Sequence, residues 1–65
     1  MKYKVIYTWY APLKKYEGTI GELIRIVPSI FSEEQDGILL TMVDGQDVMF
    51  SRYELEEADA LELND

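Results

Sequence analysis

Carboxylates dominate the chemically capable side chains of this 65-residue chain. Thirteen Asp and Glu stand against six Lys and Arg, with no histidine and no cysteine. Ser29, Ser32 and Ser51 therefore lack an imidazole to activate them, and thiol chemistry is absent. Sites that need nitrogen or sulfur ligands, zinc among them, have no donors. Carboxylates remain as acid–base candidates. The adjacent pairs Glu33-Glu34 and Glu56-Glu57 do not converge on one substrate atom, because neighbours on a strand point to opposite faces. Asp36, Asp44 and Asp47 lack the patterned spacing of a calcium loop and are explained by turn chemistry. A chain this short also has little room for a cleft of ~300 Å³ beside a core. A non-enzyme with no metal and no cofactor is expected.

Binding is the remaining class, and two candidate surfaces stand out. Residues 1–31 hold five cations against two carboxylates, a balance of +3, whereas residues 32–65 hold Arg52 against eleven carboxylates, a balance of −10. The acidic candidate is Tyr53, Glu54, Glu56, Glu57, Asp59 and Glu62: a carboxylate row that docks on a basic protein or mimics a phosphate backbone, with Tyr53 as an aromatic anchor. The plain alternative is a solvated edge strand whose charge discourages other edges. The basic candidate is Lys2, Lys4, Tyr10, Lys14, Lys15 and Tyr16, which has the composition of a single-strand nucleic-acid platform. Its plain alternative is an outer face whose lysine stems cover apolar surface, with the tyrosines partly buried. A third use of the asymmetry is head-to-tail homo-oligomerisation, the +3 half of one copy meeting the −10 half of the next.

These residues need a scaffold, and the sequence predicts one small domain over residues 1–65. Apolar residues make up 48% of the chain, enough for a packed core. Tyr3, Val5, Tyr7 and Trp9 alternate with Lys2, Lys4 and Thr8, so residues 2–10 read as a strand with the odd face inward. Pro12 and Gly18 punctuate a loop over 11–18. Residues 18–27 carry both signals. Ile20, Leu23, Ile24 and Val27 fit a helix, whereas Gly18, Gly21, the β-branched run and Pro28 favour a strand, which is preferred. In the loop over 28–36, Ile30 and Phe31 are expected to fold back on the core. Residues 37–43 form a strand, Asp44-Gly45 signals a hairpin, and 47–52 return with Val48 and Phe50 on one face. Residues 53–63 read as a short 3₁₀ turn and a last strand, with a helix as the other option.

This order resembles the SH3-like and KOW-like group of small barrels. Gly18-Thr19-Ile20-Gly21-Glu22-Leu23-Ile24-Arg25-Ile26 is similar to the G-x-x-G-x-V-x-x-I pattern of a KOW strand. Val48 to Glu56 resembles the closing strand of such barrels, with Leu55 on a 3₁₀ turn plugging one end. The resemblance implies a mainly β, five-stranded SH3-like barrel. It also implies RNA or RNA-polymerase partners met through a basic surface, from which the acidic second half departs. The other architecture is α+β, βαββα with residues 19–27 helical. Closure of a barrel has its own physical motive, since it removes exposed edges. The expected protein is soluble and cytoplasmic. Its expected function is a protein-interaction module docking through the acidic face, of the kind a phage or mobile element uses to inhibit a nucleic-acid-handling protein.

Overall fold

A computed structural model describes residues 1–58. It is mainly β: one antiparallel sheet of five strands in the order β4-β3-β2-β1-β5. The strands are β1 (Lys2–Val5), β2 (Ile20–Val27), β3 (Gly37–Thr41), β4 (Asp47–Ser51) and β5 (Leu55–Glu57). Three 3₁₀ turns, η1 (Ala11–Tyr16), η2 (Glu33–Gln35) and η3 (Arg52–Glu54), join them. No described helix is long and apolar enough to cross a membrane.

Residues 19–27 are strand, not helix. β2 pairs with β1 through Ile20–Glu22 and with β3 through Glu22–Val27, so it bridges the two arms of the sheet. A bulge between Leu23 and Arg25 lets it serve both. Gly21 is needed there, because a Cβ at this position would lie 3.0 Å from Leu40 Cβ and 2.6 Å from Met42 Sδ. The β3–β4 hairpin closes through Val43-Asp44-Gly45: the Gly45 amide donates to Met42 O, and the Met42 amide donates to Gln46 O. Gly45 sits at φ +85°, the left-handed position this loop requires.

The inner face gathers Tyr3, Val5, Tyr16, Ile38, Leu40, Met42, Phe50 and Leu55, with Leu13, Leu23 and Val48 packed against them. Tyr16 meets Phe50 edge to face, ring centroids 6.4 Å apart. Leu55 joins this core as the first residue of β5, directly after η3.

Three expectations need correction. The barrel does not close: among the described residues, β4 and β5 are the two ends of the sheet and do not pair. The described part of β5 has three residues, paired with β1 alone. The first strand stops at Val5 instead of running to residue 10. Tyr7 and Trp9 therefore face outward and Thr8 is buried in their stead. The cause is Glu54, whose carbonyl accepts both the Ile6 and Tyr7 amides and draws the chain off the β1 line. Ile30 and Phe31 do not return to the core; they are 92% and 81% exposed. Their loop is held by polar contacts instead, the Ser29 amide on Asp36 Oδ1 and the Arg52 guanidinium on Asp36 Oδ2 and Glu33 O.

Candidate functional site

The most organised surface feature centres on η3 and the loop of residues 6–10. Ser51-Arg52-Tyr53-Glu54 forms a capping box, in which the Ser51 amide and hydroxyl both donate to Glu54 Oε1, at 2.9 and 2.6 Å. Glu54 is buried. Burial alone pushes its carboxyl upward, but hydrogen bonds from the Ser51 hydroxyl, the Ser51 amide and the Thr8 hydroxyl outweigh it and hold it below its ordinary value. The same residue's backbone carbonyl anchors Ile6 and Tyr7.

Thr8 is the hub of the loop. Its amide donates to Glu17 Oε2 at 3.0 Å, its carbonyl accepts from Lys14 Nζ at 3.0 Å, and its hydroxyl oxygen accepts the Tyr10 amide at 3.3 Å. Lys14 and Glu17 also pair with each other at 3.8 Å. This polar scaffold turns the neighbouring aromatic rings outward. Tyr7, Trp9 and Tyr10 on the loop and Tyr53 on η3 are each more than half exposed, Trp9 most of all at 64%. Trp9 and Tyr10 brace one another edge to face at 6.5 Å, and Lys14 Nζ sits 5.5 Å from the Tyr7 ring centre.

Of the acidic candidates, Tyr53, Glu56 and Glu57 are exposed, Tyr53 on η3 and the two carboxylates on β5 directly after it. Glu54 is buried, facing inward as the cap just described, where the sequence reading placed it on the exposed acidic row. Asp59 and Glu62 lie outside the described residues. Glu56 stands opposite Lys4 across β1–β5, and Glu57 opposite Tyr3.

The basic candidates are scattered and engaged. Lys2 stands opposite Glu22, and Lys4 lies between Ile20 and Glu56. Lys14 is committed to Thr8, Glu17 and the Tyr7 ring. Lys15 lies over the Tyr16 ring at 5.1 Å. Tyr16 itself is buried, and its single hydroxyl proton is shared between Asp44 Oδ2 at 2.8 Å and Gln46 Oε1 at 2.9 Å. That bond to a carboxylate raises the phenol's pKa, with burial and the Asp44 charge adding to the shift, and correspondingly lowers Asp44. A ring so placed presents no face for a base to stack on. Of the six, Tyr10 alone offers an exposed ring.

Sequence reasoning missed Thr8 and Glu17 as the residues that shape the platform, because strand alternation assigned Thr8 to the solvent face. The Ser-x-x-Glu spacing at 51–54 carried a legible signal for the cap. No described group of His, Cys, Asp and Glu is arranged to hold a metal ion. Comparison with family models, curated proteins and solved structures finds no match for the chain.

Proposed function

We propose that the chain is a non-enzymatic protein-interaction module. Its docking surface is the aromatic platform Tyr7, Trp9, Tyr10 and Tyr53, with the exposed carboxylates Glu56 and Glu57 on β5, the strand that follows η3. The observation that carries this reading is four large rings turned to solvent on a backbone fixed by part-buried hydrogen bonds. Exposed aromatic surface of this kind is typical of interfaces, where Trp and Tyr supply most of the binding energy. A rigid platform also loses little conformational freedom on binding. The acidic margin selects a partner with a basic surface. Inhibition of a nucleic-acid-handling protein belongs to this reading, since such proteins present basic surfaces to their substrates.

The test is affinity capture on the immobilised full chain, compared with Trp9→Ala, Tyr53→Ala and the double variant Glu56→Lys/Glu57→Lys. Circular dichroism verifies that each variant is folded. Loss of the same captured protein from all three supports the reading. Equal capture by wild type and Trp9→Ala, or capture of labelled single-stranded oligonucleotide at low salt, overturns it.

A further inference from the structure

Among the described residues, the sheet leaves three stretches of unpaired strand edge, and two carry the usual protection against further pairing. β5 is three residues long and ends in Glu56-Glu57. The half of β2 beyond Leu23, which β1 does not reach, has the bulge at Ile24, the charge of Arg25, and Pro28 directly after it. Short length, charge, bulges and proline each discourage edge-to-edge contact. β4 has none of these along its centre: it reads Asp-Val-Met-Phe-Ser and is regularly paired to β3 over all five residues.

The hairpin fixes which β4 groups face outward. Met42 and Gln46 are a hydrogen-bonded pair. Alternation along the ladder then makes Leu40/Val48 and Ile38/Phe50 bonded pairs, and turns the amides and carbonyls of Asp47 and Met49 away from β3. Met49 is 45% exposed at the middle of this edge.

We infer that β4 is a self-pairing edge that joins two copies of this chain into an antiparallel dimer centred on Met49. The occupant is set by self-complementarity. Pairing about Met49 lets the two Met49 residues exchange both backbone hydrogen bonds and places Asp47 of each copy opposite Ser51 of the other, next to Arg52. Asp47 and Arg52 are both exposed, so each end of the new ladder brings the Asp47 carboxylate of one copy to the guanidinium that, in the other copy, already pairs with Asp36. A register shift by one residue would set inward-facing side chains against outward-facing ones. The next bonded pair of this register is Asp47 with Ser51, whose amide is already held by Glu54 Oε1, so the full two-bond exchange belongs to the central Met49 pair. The surface lies on the opposite edge of the sheet from β5 and does not depend on the aromatic platform.

Sedimentation velocity of the full chain over a wide concentration range tests it, together with amide hydrogen exchange. A monomer–dimer equilibrium is expected, with protection of the Met49 amide rising with concentration. Met49→Lys, which adds the usual edge lysine at an exposed position, is expected to weaken the dimer at least about tenfold while leaving the circular dichroism unchanged. Asp47→Arg, which faces Arg52 of the other copy with a like charge, gives a second route to the same loss should Met49→Lys disturb the fold. A monomer at every concentration overturns the proposal. So does a dimer that keeps its affinity in both variants, or β4 protection that appears only with a different protein bound.

Discussion

Glu54 shows how one residue can do structural work where its type suggests surface chemistry. Its carboxylate caps η3 and meets Thr8, and its carbonyl redirects the chain after Val5. The folded pKa lies below the ordinary glutamate value of 4.5, so the carboxylate form is the stabilising one. Its contribution is full above that value and is lost as pH falls through the lower folded pKa. Asp44, lowered from 3.8 by the Tyr16 hydroxyl, acts in the same direction at lower pH. Tyr16 has the opposite sign: raised above 10.0, its contribution is full below that value and disappears as pH rises through the folded pKa. Denaturant unfolding of the wild type is therefore expected to show a plateau near neutrality with an acidic and an alkaline limb. Glu54→Gln should lower the plateau by about 1–3 kcal/mol, the cost of disturbing a buried hydrogen-bonded group, and flatten the upper part of the acidic limb. Tyr16→Phe should flatten the alkaline limb and, because it removes the hydrogen bond that lowers Asp44, the lowest part of the acidic limb as well. An unchanged acidic limb in Glu54→Gln would contradict the role assigned to the cap.

Among the elements, legibility followed the strength of the local backbone signal. Gly18, Gly21 and Pro28 decided β2 correctly against a helical apolar spacing, because glycine and proline act on the backbone itself. Asp44-Gly45 located the β3–β4 hairpin for the same reason. The end of β1 was illegible: alternation continues through Trp9, and the capture of the Ile6 and Tyr7 amides comes from Glu54, far along the chain. Ile30 and Phe31 were misread because apolar type was taken as burial, while Asp36 and Arg52 hold that loop by polar contacts. The aromatic platform shared the fate of β1: the alternation turned Tyr7 and Trp9 inward, and only Tyr53, read as an aromatic anchor, was placed at the surface for its own sake. Two glycine variants separate the physical causes. Gly45→Ala forces an L side chain to φ +85° with open space around it, so the expected loss of ~1 kcal/mol or more is purely conformational. Gly21→Ala pushes a methyl against Leu40 Cβ, an atom fixed to the backbone, so its expected loss of ~1–3 kcal/mol comes from overpacking. Met42→Ala in the Gly21→Ala background should recover part of the second loss and none of the first, read from denaturation midpoints in a double-mutant cycle.

At the scale of the whole molecule, the separation of charge along the chain does not become two opposed faces. The fold brings the basic start of the chain between acidic neighbours, with Lys2 opposite Glu22 on β2 and Lys4 opposite Glu56 on β5. Local pairing and the overall field then make competing demands. The net charge of −7 is self-repelling, so neutralising any carboxylate relieves the field. A carboxylate directly across a strand pair from a lysine is a different case, since like charges placed there repel by ~0.2–1 kcal/mol. Glu56 and Glu57 are sequence neighbours on the same short strand, and only Glu56 has the lysine across from it. Glu56→Lys and Glu57→Lys change the net charge equally, from −7 to −5. If the long-range field decides, both should raise the denaturation midpoint at low ionic strength, and salt should remove both gains. If register decides, Glu56→Lys should lower the midpoint by setting a lysine against Lys4, while Glu57→Lys, opposite Tyr3, should leave it unchanged or raise it. The second outcome is expected, because the Lys4 and Glu56 positions are adjacent on one face and well inside the ~10 Å over which charges at 0.1 M salt still act on each other. Equal shifts in the two variants would show that the β1–β5 register does not govern the electrostatics of this edge.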